Sequence, residues 1–203
     1  MAKIETVEQL RTVYAQPSDL VIKKALSRLE KHCRRIISLS PMVMVGTSDA
    51  KGRQDVTPRG GEPGWVHVVD DKTLAMPDWP GNNRLDTLTN LIEHPYVGLL
   101  FLVPGLDETL RINGRVELRT DEELCKPFET RGKLPKTVLM VTVDEAYLHC
   151  AKAFMRSKLW SPESRIDRSS LPSINEMIKD QLSLDGPAIP QSEIAPRYEK
   201  VLY

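Results

Sequence analysis

The segment Pro80-Gly81-Asn82-Asn83-Arg84-Leu85-Asp86 carries residue types that can hold an anion. It follows a strand-like run and opens an amphipathic helix with an apolar stripe of Leu85, Leu88, Leu91 and Ile92. A helix start offers free N–H groups and a partial positive charge, which suits a phosphate. Gly81 permits an unusual backbone angle, and Asn83 can cap the helix with Asp86 three residues on. Arg84 in the first turn opposes the helix dipole unless an anion lies beside it. Spacing alone fits both an anion site and an ordinary capped helix with a surface arginine.

Three further groupings could do chemistry. Arg111 and Arg115 fall on one face of a strand, roughly 13 Å apart at ~3.3 Å per residue, and Arg111 could bind a carbonyl-rich ring or a phosphate bidentately. Asp55, Thr57 and Arg59 alternate onto one face before a bend at Gly60-Gly61, where glycine would let backbone approach a flat ring. Tyr147 to Trp160, read as a helix, places His149, Lys152 and Arg156 on one side. Each of these also fits a solvated, charged face. His149 is the one general acid or base candidate, because it shares a side with Lys152; no catalytic group is assigned.

Several chemistries lack their residues. There is no G-x-G-x-x-G for a Rossmann site and no P-loop. His32, His67, His94 and His149 make no metal spacing, and no serine or cysteine sits in a nucleophile motif. Basic and acidic residues balance at 28 each, so no overall field draws in nucleic acid or an anionic membrane. The longest apolar run, Val97 to Val103, is far below the ~20 residues of a membrane helix. Cys33, Cys125 and Cys150 are three and far apart, which suggests reduced thiols and a cytoplasmic protein with no disulfide frame and no metal site.

The elements that must position these groups read in three parts of a single domain, 1–203. Residues 1–40 are helical in pattern, through Leu20, Ile22, Ala25, Leu26 and Leu29, with a start at Ser18-Asp19. Residues 41–160 turn to short strands. Met42–Thr47 and Gln54–Arg59 form a hairpin, and Trp65–Val69 and Thr73–Met76 flank a turn. Tyr96–Val103 reads as a strand buried on both faces. Thr109–Arg119 alternates, with Leu110, Ile112, Gly114, Val116 and Leu118 on one side, and Lys136–Val143 adds another strand. Such a series predicts a mainly β fold of six to seven antiparallel strands with flanking helices, closed as a barrel or packed as a sandwich. Residues 161–203 form a proline-richer C-terminal arm with one helix over Ser173–Leu182, started by a capping box of Ser173 and Glu176.

Taken in order, seven stretches resemble the pyridoxamine 5′-phosphate oxidase-like family of FMN-binding split-barrel proteins, in its branch of FMN-dependent enzymes of unassigned substrate. They are Leu39-Ser40-Pro41, Gly46-Thr47-Ser48-Asp49, Asp55-Val56-Thr57-Pro58-Arg59-Gly60, Pro80 to Asp86, His94 to Phe101, Leu110 to Arg115, and Lys152 to Trp160. The resemblance covers roughly residues 29 to 160. It implies a split barrel, FMN, and a homodimer with the cofactor in the inter-subunit cleft. It places Asn83 and Arg84 at the phosphate, Thr57 and Arg59 on the strand beside the flavin, and Arg111 on a later strand approaching it. Lys152 and Arg156 fall in a helix expected to reach the neighbouring subunit's flavin. The implied activity is an FMN-dependent oxidoreductase acting on a small molecule, with NAD(P)H or oxygen as redox partner. Haem or deazaflavin binding in the same fold, or non-catalytic flavin binding, are the alternatives. The phosphate-site run of the true pyridoxamine-phosphate oxidases is replaced here by Gly81-Asn82-Asn83-Arg84. Their C-terminal signature has no counterpart after Trp160, which points away from vitamin B6 oxidation.

Overall fold

In the computed structural model, which describes residues 3–200 and 202, the alternating apolar residues of the central segment form seven strands. These are β1 (Met42–Ser48), β2 (Gln54–Gly60), β3 (His67–Val68), β4 (Thr73–Asp78), β5 (Tyr96–Leu102), β6 (Thr109–Arg119) and β7 (Thr137–His149). They make one antiparallel sheet in the order β2-β1-β5-β6-β7-β4-β3. The first and last strands of that order are not paired with each other. An ion pair of 2.6 Å nevertheless joins Arg59 of β2 to Asp78 of β4. In a flat sheet, with strands about 4.8 Å apart, these two would lie roughly 24 Å from each other. The sheet is therefore rolled into a barrel left open along one slit.

One face of each strand fills the barrel. Val43 and Val45 of β1, Val97, Leu99 and Phe101 of β5, Leu110 and Ile112 of β6, and Val141 of β7 are buried together. Two helices cover its ends: α3 (Lys31–Leu39), which contributes Cys33 and Ile37, and α4 (Asp86–Glu93), which contributes Leu91. A short helix, α5 (Glu122–Cys125), and the turn after it place Cys125 and Phe128 against the outside of β4 and β7. The split barrel implied by the family resemblance is thus present, as are the β1–β2 hairpin and the alternation along β6 expected from the strand pattern.

Four local expectations are corrected. The N-terminal 40 residues form α1 (Val7–Val13) and α2 (Asp19–Lys23) before α3, not one amphipathic run. Leu26 exchanges backbone hydrogen bonds with Ala146 of β7 at 3.0 and 2.6 Å, so pairing with the sheet replaces helix there, and Leu20 and Ile22 stay exposed. β5 is buried on one face only: Gly98, Leu100 and Leu102 are half-buried and Tyr96 is exposed. β3 is two residues long. β7 runs six residues past Val143 because Tyr147, Leu148 and His149 pair with Arg111, Leu110 and Thr109. Helix α6 (Lys152–Ser157) begins only after it, so His149 is not on the helix of Lys152 and Arg156.

Among its described residues the arm holds two α-helices where one is expected: α7 (Ile174–Leu182) and α8 (Gln191–Glu199). Ser173 caps α7 by accepting from the Glu176 N–H at 3.1 Å. Pro196 inside α8 masks that helix in a reading by propensity. At the root of the arm the Trp160 indole N–H donates to the Leu106 carbonyl at 2.9 Å.

Candidate functional site

The slit is where the polar residues gather, and register explains why. Directly paired residues of antiparallel strands share a face. The pairs Val43↔Arg59, Val45↔Thr57 and Thr47↔Asp55 therefore turn Asp55, Thr57 and Arg59 to the barrel's inner side. β2 is an edge strand, so these three have no further strand beyond them, and Pro58 is tolerated there for the same reason. Across the slit, Leu74, Met76 and Asp78 of β4 alternate inward, and Asp78 ends the series as a buried carboxylate.

Asp78 and Arg59 meet at 2.6 Å. Burial pushes the Asp78 carboxyl above the usual carboxylate range, and the Arg59 guanidinium opposes that rise. Thr87, in the first turn of α4, donates its hydroxyl to Asp55 at 2.7 Å. This ties the helix start to β2.

Between β4 and α4 the chain makes a tight loop. Asn83 and Leu85 both take left-handed backbone angles, φ 58° and 57°. Asparagine tolerates this readily; for leucine it costs roughly 1–2 kcal/mol. Gly81, which permits such an angle, does not take one, and a Cβ built there would meet nothing within 4 Å. Asn83 is not the cap either. Leu85 stands at that position, and the Asn82 side chain accepts from the Arg84 N–H at 3.0 Å. Arg84 lies just before the helix, 77% exposed, and pairs with Asp86 at 2.5 Å. Its clash with the helix dipole is thereby relieved by a neighbour in the chain.

Thr57, Arg59, Asn83 and Arg84 line one cleft of about 200 Å³, together with Asp55, Asp78, Trp79, Gly81, Asp86 and Thr87. Two more hollows, about 210 and 230 Å³, continue from it and share Trp79. Their walls are Trp65, Pro77, His67 and Phe128, with the last two rings stacked at 4.1 Å. Burial lowers the His67 pKa. Gly61 is needed here, because a Cβ would lie 2.8 Å from Trp65 Cγ. A polar end and an aromatic end thus form one groove along the slit.

Arg111, Lys152 and Arg156 do not line that cleft. Arg111 faces the outside of β6, opposite Leu100 in register. It pairs with Glu145 at 2.6 Å, and Glu145 also accepts from Asn113 at 3.2 Å. Both Arg111 and Lys24 approach the Tyr147 ring, at 4.9 and 4.2 Å from its centroid. The Arg111 Nε is buried without a hydrogen-bond partner. His149 stands edge-on to Tyr147 at 5.0 Å. Its pKa is lowered by burial and then by Arg111 and Lys24, so it is held neutral. Lys152 and Arg156 are exposed, one turn apart on α6.

Asp78, Trp79 and Trp65 are parts of the groove that sequence reading does not reach. The signal for Asp78 is a carboxylate ending an otherwise apolar strand, Leu74-Ala75-Met76-Pro77-Asp78. Among the described residues, no group of three or more His, Cys, Asp or Glu is placed to hold a metal ion. No described helix is long and apolar enough to cross a membrane.

The family model described as "Pyridoxamine 5'-phosphate oxidase" matches residues 29–150. Among solved structures, a HupZ variant from Group A Streptococcus is similar at 22% identity and a TM-score of 0.51. The match covers 60% of this chain and 99% of that one. A structure from Lactobacillus delbrueckii, described as a "putative pyridoxamine 5'-phosphate oxidase", is 19% identical with a TM-score of 0.48, covering 60% and 95%. No curated protein matches this chain.

Proposed function

Since this chain belongs to the pyridoxamine 5′-phosphate oxidase family, we propose that it is a cytoplasmic FMN-dependent oxidoreductase that holds its cofactor in the slit. The supporting observation is the convergence of Thr57, Arg59, Asn83 and Arg84 on one cleft. The donor set fits a phosphate-bearing group. Each guanidinium has five N–H donors, and Arg59 and Arg84 each place one on a carboxylate. The others remain for an anion.

On this reading Arg84 and the loop at Asn83 hold the phosphate. Arg59, fixed by Asp78, and the Thr57 hydroxyl orient the rest of the cofactor along β2. FMN, when bound, supplies two-electron redox chemistry between a small molecule and NAD(P)H or oxygen. Arg111, Lys152 and Arg156 lie away from the cleft of their own subunit, and the reading assigns them to the cleft of the second subunit in a homodimer. The half-buried apolar outer face of Met44, Leu100 and Leu102 supports association. Vitamin B6 oxidation is not part of the proposal.

The test is an absorption spectrum of protein purified without added cofactor, with mass analysis of what heating releases. FMN is expected. An Arg84→Ala variant should bind it about tenfold more weakly, the order of one charge-assisted hydrogen bond in an exposed place. A colourless protein that takes up no FMN, or one showing a haem or deazaflavin spectrum, overturns the reading.

A further inference from the structure

The aromatic end of the groove has a charge pattern of its own. Its hollow of about 230 Å³ is lined by Trp65, His67, Trp79 and Phe128, with the carboxylates Glu62 and Glu129 also on its wall. No lysine or arginine lines it. His67 adds no charge near neutral pH, because burial lowers its pKa and it stacks on Phe128. Of the cations on the adjoining segment, Lys126 pairs with Glu122 and Glu123, and Arg131 donates to the Leu202 carbonyl. Arg59, at the border with the next hollow, is paired with Asp78.

Flat ring faces bear negative potential and attract cations, and rim carboxylates strengthen that preference. A polar or anionic ligand would meet two carboxylates and no compensating donor of positive charge. We propose that this hollow is a binding subsite for a planar heteroaromatic cation, stacked on Trp65 and drawn in by Glu62 and Glu129. Trp79 also lines the cofactor cleft, so a ring bound here lies beside whatever occupies the slit. Describing that ring as the substrate of the oxidoreductase rests on the proposed function; binding itself does not.

The experiment uses three probes of one shape and different charge: 1-methylnicotinamide (cationic), nicotinamide (neutral) and nicotinate (anionic). Each is titrated into the full chain, and tryptophan fluorescence is followed with and without FMN. Two of the three tryptophans line the hollow, so saturable quenching is expected for the cation. Its affinity should exceed that of the neutral ring by about threefold or more, with the anion weakest. A Glu62→Gln/Glu129→Gln variant, altered at two exposed positions, should lose most of that preference while binding nicotinamide as before. Quenching that never saturates, or equal affinity for all three probes, overturns the subsite. Saturable quenching in a protein that binds no FMN would keep the subsite and remove only its link to flavin chemistry.

Discussion

At the scale of single residues, Asp78 is a carboxylate of the slit whose surroundings change its behaviour. Its neighbour Arg59 stabilises the charged form, yet burial prevails and the carboxyl titrates above its ordinary value. An acid whose folded pKa is raised stabilises the fold while it is protonated. That contribution is complete below the unfolded value and fades as pH rises through the folded one. Asp78→Asn carries no such titration. Its stability relative to the native protein should therefore improve as pH climbs from about 4 toward neutrality. Urea denaturation at several pH values measures this, and a difference that stays flat with pH would contradict the assignment. The same variant leaves Arg59 without its ionic partner, so its cofactor affinity should change as well.

At the scale of elements, what the sequence reveals depends on how local the cause is. β6 is legible residue by residue, since Leu110, Ile112, Val116 and Leu118 turn inward on a strict period of two. The β1–β2 hairpin is equally plain. Tyr147 to His149 reads as helix because its apolar spacing fits both periods, and pairing with β6, over 30 positions away, decides for strand. Thr57, Arg59, Asn83 and Arg84 are found as separate signals, but their meeting is not, because it follows from the rolling of the sheet. The double glycine is legible as a bend and not as a contact. Gly61 gives way to the Trp65 indole, and Gly61→Ala must displace that ring. A loss of about 1–3 kcal/mol is expected for such crowding, together with red-shifted tryptophan emission. In the arm, Ser173 caps α7 and also donates to the Ile189 carbonyl at 2.8 Å. Ser173→Ala should cost about 1 kcal/mol and make the arm the first site cut in limited proteolysis.

At the scale of the whole molecule, two sets of cationic residues occupy different faces of one chain, the slit and the outside of β6 and α6. If they serve one cofactor, they do so across a dimer. Arg84→Ala and Arg111→Ala homodimers should each bind FMN poorly. When the two are unfolded together and refolded, half the dimers are mixed, and each mixed dimer has one intact site. About a quarter of the sites should regain flavin absorbance; recovery of none would contradict a site shared across the dimer, and unimpaired binding by Arg111→Ala alone would place Arg111 outside the cofactor site. The slit itself carries a last consequence, in the melting behaviour of the protein. Hydrogen bonds fasten every other strand junction of the barrel, whereas the Arg59–Asp78 pair is what the structure provides across this one. A ligand seated there acts as the missing seam. It adds roughly 2.7 kcal/mol at a hundred times its dissociation constant, so the midpoint of thermal unfolding becomes a gauge of free cofactor around the protein.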